Sequence, residues 1–202
     1  MQMKNKDFSN SDPDISSLIE KENSSKQVYD GKLLKVYSDE ALLPDQTLST
    51  REWIKHPGAC AVVPVFEDGT IMLLKQFRYP PRKIFIEVPA GKIDPGEDPV
   101  QTAERELLEE SGIECQHIIQ TGSFYPAIGY ADEIIHSYVA WGLTITEQRV
   151  DEDEFLHPFR IPYQNALEMI STGEITDAKT ISTLIQTKMW WEKNGPFSIS
   201  FT

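Results

Sequence analysis

The segment GKIDPGEDPVQTAERELLEESGI, residues 91–113, carries the strongest structural signals of this sequence. Its end signals are those of a helix, because Asp98 is a typical N-cap residue and proline is favoured at the first helical position, here Pro99. Gly112 suits the left-handed position that follows the last helical turn. The sequence therefore predicts a helix from about Pro99 to Ser111.

Two neighbouring faces of this helix differ in character. One carries small and apolar side chains and is predicted to pack on a sheet: Val100, Ala103 and Leu107. The adjacent face carries Glu106, Glu109 and Glu110, which repel one another and crowd toward the helix C-terminus, where negative charge is unfavourable. Arg105 lies one turn before Glu109 and can hold its carboxylate in place. Because a divalent cation would offset the repulsion and the dipole, this face is a candidate metal site.

The composition excludes several classes of protein. The chain has 202 residues and 40% hydrophobic content, enough for one sizeable core, and its formal net charge is −13. Such a surface repels phosphate backbones and anionic membranes, so we expect neither nucleic acid nor a membrane as a partner. The two cysteines, Cys60 and Cys115, are too few for a disulfide scaffold and lack metal-site spacing, which predicts reduced thiols in a cytoplasmic protein.

The chain divides into three parts by composition and pattern. Residues 1–27 are rich in Ser, Asn, Asp and Lys and are predicted to form a flexible tail. Residues 28–55 alternate apolar and polar side chains between turn signals, which indicates a small antiparallel β meander. Residues 56–202 combine strand-length apolar runs, such as ACAVVPVF, with the acidic helix and with helices predicted at about 163–171 and 177–192. This mixture predicts an α/β layered domain.

The acidic helix and the loop before it resemble a known signature. Gly91, five residues, Glu97, seven residues and then RELLEESGI match the Nudix box, G-x5-E-x7-R-E-U-x-E-E-x-G-U, at every defined position. The resemblance implies a Nudix fold, in which a mixed β-sheet is sandwiched between helices. It also implies metal-dependent hydrolysis of a nucleoside diphosphate linked to another moiety, with two to three Mg²⁺ or Mn²⁺ ions per site.

The same resemblance assigns roles to individual residues of the box. Glu106 and Glu110 become the principal metal ligands, with Glu109 close by. Arg105 orients this cluster of carboxylates. The positions with a supporting role in the motif are Gly91, Glu97 and Gly112.

The flanking segments resemble the ADP-ribose pyrophosphatase branch of that family over roughly residues 28–192. KQFRYP and IFIEVPAGKIDPGE carry the likeness before the helix. By resemblance, Ala90 gives its backbone carbonyl to a metal, and Arg78 contacts the diphosphate of the substrate. The downstream segment YPAIGYADE resembles a proline-containing loop of that branch, with Pro126 as its structural marker and Glu133 assigned to the substrate.

Two glutamates in the segment DEDEF are candidates for the catalytic base. This segment resembles the acidic loop that supplies the base in the same branch, with Glu154 as the better positional match and Glu152 as the second. Glu109 on the helix is the remaining candidate. A carboxylate on a loop near bound cations is expected to be ionised at neutral pH and ready to accept a proton from water.

The N-terminal meander carries a further implication of the resemblance. In that branch the meander builds a homodimer and lends residues to the partner's site, so Arg51 or Trp53 is a candidate to reach the neighbouring substrate. For Trp53 a packing role is the alternative, and it is the more common role of a tryptophan in such a position.

The leading functional hypothesis is hydrolysis of ADP-ribose to AMP and ribose 5-phosphate. A hydrolase of another nucleoside diphosphate sugar, such as GDP-mannose, shares the box and the general layout and stays open as an alternative. A third hypothesis is a non-catalytic Nudix ligand sensor. Sensors usually carry an eroded box and a fused domain, whereas this box is intact.

Overall fold

The computed structural model describes residues 15–149 and 154–201. These residues fall into two compact units. The first comprises the described part of Met1–His56 together with Ala127–Asp132, and the second comprises the described part of Pro57–Pro126 and Glu133–Thr202. The sequence gives no sign that the short segment at 127–132 joins the N-terminal unit.

The first unit is built on a three-stranded antiparallel sheet. One turn of 3-10 helix, Ile15–Leu18, precedes its strands β1 (Lys21–Asp30), β2 (Lys35–Leu42) and β3 (Leu48–Lys55). The strands pair in the order β1-β2-β3. This sheet confirms the antiparallel meander that the sequence predicts.

Strand β1 begins inside the segment that the sequence predicts as a flexible tail, so the predicted end of the tail is corrected. All ten residues of β1 are exposed and most are polar, and the strand therefore lacks the apolar alternation that sequence reasoning depends on. It is held by backbone pairing with β2 and by side-chain hydrogen bonds of 2.6 Å from Asn23 to Glu40 and from Ser25 to Asp39. The rest of the predicted tail, residues 1–14, lies outside the described residues.

The second unit contains two sheets and three helices. Its strands are β4 (Ala59–Pro64), β5 (Thr70–Arg78), β6 (Lys83–Glu87), β7 (Ala90–Lys92), β8 (Ile113–Phe124), β9 (Ile135–Ile145) and β10 (Leu156–Pro162), and its helices are α1 (Pro99–Ser111), α2 (Tyr163–Thr172) and α3 (Ala178–Asn194). One sheet has the order β7-β4-β9-β8 and is mixed, since β4 and β9 run parallel whereas the other neighbours run antiparallel. The other sheet, β10-β5-β6, is antiparallel. No helix in the described residues is long and apolar enough to cross a membrane.

Strand β4 lies between two helices, and its side chains alternate between them. Val63 packs in the apolar cluster that contains Leu184 of α3, whereas Val62 packs in the cluster that contains Leu107 of α1. All four side chains are fully buried, and each such burial stabilises the fold by about 1.5–3 kcal/mol. Because successive side chains of a strand point to opposite faces, the helices cover both faces of the mixed sheet. The predicted mixed sheet between helices is confirmed.

Helix α1 has the bounds that its end signals predict, Pro99–Ser111. At its start, the Asp98 N–H donates to the side-chain oxygen of Gln101 at 3.0 Å. At its end, Gly112 adopts a left-handed φ of 64° and donates its N–H to carbonyls of the last turn. A Cβ at Gly112 would lie 2.8 Å from the carbonyl oxygen of Thr146, so both the backbone conformation and the available space require glycine.

Candidate active site

Helix α1 places two glutamates against the backbone at β7. Glu110 is 5% exposed, and its Oε2 accepts a hydrogen bond from the Ala90 N–H at 2.7 Å. The Glu106 carboxylate lies over Gly91, where an added Cβ would come within 1.8 Å of Glu106 Oε1. Gly91 therefore leaves the space that this carboxylate occupies, and a larger residue would displace it.

Arg105 connects the remaining carboxylates of the motif. Its guanidinium donates to both oxygens of Glu97 at 3.1 and 3.0 Å, to Glu106 at 2.8 Å and to Glu109 at 3.0 Å. The Thr102 hydroxyl also donates to Glu97, at 2.7 Å. The hydrogen bonds from Arg105 lower the pKa of Glu97 to about 2, so this carboxylate is ionised at neutral pH. Glu97 thus fixes the arginine that in turn holds two glutamates of the helix.

Two carboxyl groups of the cluster bind protons more tightly than ordinary glutamates do. Burial, together with the charges of Glu106 and Glu154, raises the pKa of Glu110 to about 8. Burial also raises the pKa of Glu106, and the charges of Glu109 and Glu154 act in the same direction. The loop residue Glu154 therefore lies within electrostatic reach of both helix glutamates. The second candidate base, Glu152, lies outside the described residues.

The donor chemistry of this cluster suits a hard divalent cation such as Mg²⁺, which prefers oxygen ligands. The carboxylates are those of Glu106, Glu109 and Glu110, and a cation among them would offset their mutual repulsion. Within the part of the chain that the structure describes, no three acidic, histidine or cysteine side chains converge as a preformed metal cage. Arg105 holds Glu106 and Glu109, and Glu110 accepts from the Ala90 N–H. The residues fit a cation by chemistry, while their side chains are arranged around protein donors.

A second charged group contains Arg78, which the sequence predicts to contact the substrate. Its Nε and Nη2 donate to the two carboxylate oxygens of Glu87 at 2.8 and 2.7 Å. Glu87 is 4% exposed and also accepts from Lys179 Nζ at 3.0 Å. The hydrogen bonds to Glu87 raise the pKa of Arg78, and the charge of Glu110 contributes to this rise. Arg78 is therefore within electrostatic reach of the carboxylate cluster.

The sequence alone does not single out Glu87 or Lys179. The available signals were weak: Glu87 is an acidic residue in the otherwise apolar run IFIEVPAG, and Lys179 follows the helix N-cap Asp177 by two positions. Each feature is ordinary by itself. The pair is separated by 92 positions, so only the fold brings the two side chains together.

The predicted site residues Arg51 and Trp53 lie in the first unit, where both side chains have partners. Arg51 forms an ion pair with Glu20 at 2.6 Å. Trp53 donates its indole N–H to Asp39 at 2.6 Å and stacks on Tyr37 with 5.0 Å between ring centroids. Within this unit Trp53 therefore has the packing role that the sequence left as the alternative.

The segment predicted as a substrate loop is divided between the units. Pro126 and Glu133 belong to the second unit, but the residues between them, Ala127–Asp132, belong to the first. There the Ile54 N–H of β3 donates to the Tyr130 carbonyl at 2.8 Å. The loop is thus tied to the N-terminal sheet, a long-range pairing that its local sequence does not signal.

The NUDIX domain model matches residues 55–197. This range includes helix α1 with the loop before it, and also Arg78, Glu154 and Lys179.

The chain is similar to three known proteins over most of its length. Over 168 residues the chain is 40% identical to the ADP-ribose pyrophosphatase of Bacillus subtilis (strain 168), which covers 82% of this chain and 91% of that protein. Over 164 residues it is 42% identical to the methanol dehydrogenase activator of Bacillus methanolicus, covering 80% and 89%. A crystal structure described as an ADP compounds hydrolase superposes with a TM-score of 0.78 at 23% identity, covering 89% of this chain and 98% of that one. At that identity the superposition concerns the fold alone.

Proposed function

This chain belongs to the NUDIX domain family, and on that premise we propose that it hydrolyses the pyrophosphate bond of ADP-ribose to give AMP and ribose 5-phosphate. The observation that carries the reaction is the pairing of Glu106 and Glu110 at β7, with Glu154 within electrostatic reach of both. The substrate is supported by the flanks of the box and by the name of the Bacillus subtilis relative.

Nudix hydrolases generally depend on divalent metal ions. When bound, such ions neutralise charge on the phosphoryl oxygens and lower the pKa of water. Here Glu106, Glu110 and the backbone carbonyl of Ala90 would hold them, with Glu109 close by. We propose Mg²⁺ or Mn²⁺, with two to three ions per site.

The side chains of the protein divide the remaining work. Arg78 binds the diphosphate, because a guanidinium donates hydrogen bonds in the geometry that phosphate oxygens accept. The oxygen of a water molecule bonds to phosphorus, its proton passes to Glu154, and the anhydride P–O bond breaks with its electron pair on the leaving phosphate. Glu152 is the second candidate for the base and Glu109 the third. Arg105 keeps the helix carboxylates in position through its hydrogen bonds.

We also propose that the protein is a homodimer in which the N-terminal meander, residues 28–55, packs against the partner. A three-stranded sheet needs a packed apolar face for stability of its own, and this one exposes apolar residues such as Val28 and Leu48, which a partner could cover. By the family resemblance, Arg51 would then reach the neighbouring substrate. Cys60 and Cys115 are free thiols, which supports the cytoplasmic location expected from the sequence.

The nearest alternative is hydrolysis of another nucleoside diphosphate sugar, such as GDP-mannose. The carboxylate cluster and Arg78 address the diphosphate, which all these substrates share, so they do not select the base or the sugar. The two relatives from Bacillus have nearly equal identity but different names, and identity therefore does not rank the substrates. A non-catalytic sensor is disfavoured because every carboxylate of the box is retained.

A substrate panel tests the proposal. Purified protein with Mg²⁺ is incubated with ADP-ribose, GDP-mannose, UDP-glucose, NADH and diadenosine polyphosphates, and a phosphatase releases phosphate from the products. We expect the highest kcat/KM for ADP-ribose, and no phosphate in EDTA. A higher kcat/KM for GDP-mannose would establish the alternative, and no hydrolysis of any member would contradict the proposed function.

A further inference from the structure

A row of four charged side chains runs from the start of α3 to the end of β5: Asp177, Lys179, Glu87 and Arg78. Asp177 Oδ2 lies 3.1 Å from Lys179 Nζ, which donates to Glu87 Oε2 at 3.0 Å. Glu87 in turn accepts two hydrogen bonds from Arg78. The Lys179 and Glu87 side chains are 14% and 5% exposed, whereas the Arg78 side chain is 43% exposed. The end of this row at α3 is therefore buried, and its other end, Arg78, is open to solvent.

At the α3 end of this row, Asp177 is anchored by hydrogen bonds near the start of the helix. Asp177 caps α3 and accepts from the N–H and the hydroxyl of Thr180 at 3.0 and 2.7 Å. The Thr180 hydroxyl oxygen also accepts from the Val88 N–H at 3.0 Å, immediately after β6. Because Val88 precedes Ala90 by only two residues, the same contacts fix the backbone that leads to the carboxylate cluster.

The charges of the four side chains in this row compensate one another. Burial works to lower the pKa of Lys179, but the charges of Asp177 and Glu87 outweigh it and the pKa is raised. Burial works to raise the pKa of Glu87, but Arg78 and Lys179 outweigh it and the pKa is lowered. Removing one member therefore leaves its neighbour as a buried charge with incomplete compensation, which is a costly arrangement.

The geometry at Glu87 fixes how Arg78 is presented. Glu87 Oε2 accepts from both Lys179 Nζ and Arg78 Nη2. The lysine therefore fixes the orientation of the carboxylate that the guanidinium contacts. Arg78 uses Nε and Nη2 for this contact. Among the described residues, no hydrogen bond occupies its Nη1, and this nitrogen keeps two N–H donors for an incoming acceptor.

We infer that Lys179 is a positioning residue for the pyrophosphatase reaction: by orienting Glu87, it fixes which edge of the Arg78 guanidinium faces the diphosphate of the substrate. The inference rests on the proposed function, in which Arg78 binds the diphosphate. A lysine that merely supported the fold would lower the melting temperature and leave KM unchanged, or would change KM by the same factor whether or not Arg78 is present. A positioning lysine has no effect of its own on substrate binding once Arg78 is gone.

A double-mutant cycle separates these two cases. Wild type, Lys179→Met, Arg78→Ala and the double variant are compared by kcat and KM on the member of the panel that the wild type hydrolyses best. We expect each single substitution to raise KM by about tenfold or more, with a smaller fall in kcat, because a hydrogen bond to a charged group is lost or misplaced. In the double variant we expect a KM within about twofold of that of Arg78→Ala. Lys188→Met, on the same helix and ion-paired with Glu192, is the matched control and should leave KM unchanged.

The inference would be overturned if the increases in KM of the two single variants multiply in the double variant, or if KM is unchanged in Lys179→Met. Melting temperatures are measured for all variants. If Lys179→Met does not fold, Glu87→Gln, which keeps the shape of the side chain, takes its place in the cycle with the same expectation. A wild type that hydrolyses no member of the panel overturns the proposed function, whereas a hydrolysing wild type with a multiplicative cycle overturns only the positioning role.

Discussion

Glu110→Gln is expected to stabilise the metal-free protein at neutral pH while removing most of its turnover. Glu110 is 5% exposed, and its pKa is raised from 4.5 to about 8, chiefly by burial. At pH 7 the folded protein therefore keeps this carboxyl mostly protonated, whereas the unfolded chain has it ionised. Glutamine has nearly the same shape, can accept the Ala90 hydrogen bond and carries no charge.

The size of the effect follows from the two pKa values. A raised folded-state pKa contributes stability that is present below pH 4.5 and is lost as the pH rises through about 8. Neutral pH lies about 2.5 pH units above the unfolded value, at about 1.4 kcal/mol per unit, so the loss at pH 7 is about 3 kcal/mol. For a chain of this length each kcal/mol shifts the melting temperature by about 2–4 °C. The variant should therefore melt about 6–12 °C higher at pH 7 and at nearly the wild-type temperature at pH 4.5.

The assay is thermal unfolding in EDTA at pH 4.5, 7 and 8.5, with turnover measured in parallel with Mg²⁺. Glu104→Gln, which changes an exposed glutamate of the same helix, is the matched control and should follow the wild type at every pH. Saturating Mg²⁺ should raise the melting temperature of the wild type but not that of Glu110→Gln, since binding to the folded state stabilises it. If Glu110→Gln melts no higher than the wild type at pH 7, or keeps near-normal turnover, Glu110 is neither the protonated buried carboxyl nor the metal ligand described above.

Three further predictions concern the base, the box glycine and the assembly. Glu154→Gln should lower kcat about 10²- to 10⁴-fold with little change in KM, as expected for loss of a general base; in steady-state kinetics, a dead Glu152→Gln beside an active Glu154→Gln would move the base by two residues. Gly91→Ala should lose most activity, because its Cβ would lie 1.8 Å from Glu106 Oε1; turnover at the wild-type level, with the fold checked by circular dichroism, would contradict this. Light scattering should find the full chain dimeric and a chain lacking residues 1–50 monomeric, and a monodisperse full-length monomer at micromolar concentration would count against the dimer.

The parts of the fold that the sequence predicts correctly depend on local signals. Helix α1 has its predicted bounds because Asp98 and Gly112 act within one turn of its ends. The buried strand β4 is recognisable from an unbroken apolar run. Strand β1 was missed because its pairing with β2 uses backbone groups and polar side chains, which do not differ in composition from a tail.

The candidate site divides in the same way. The box carboxylates lie on one helix, so the spacing of Glu106 and Glu110 suffices to place them on one face. Glu87 and Lys179 come from distant segments, and no periodicity relates them. The role predicted for Arg51 depends on a second protomer and therefore stays a prediction.

If the carboxylate cluster of α1 makes this chain an ADP-ribose pyrophosphatase, the identity of the products shows it. Chromatography separates the products formed from ADP-ribose and Mg²⁺ by the wild type and by Glu106→Gln. We expect equal amounts of AMP and ribose 5-phosphate from the wild type, and no product above background from Glu106→Gln or from the wild type in EDTA. A wild type that leaves ADP-ribose intact, or a Glu106→Gln variant that forms AMP at the wild-type rate, would contradict the proposed function of the cluster.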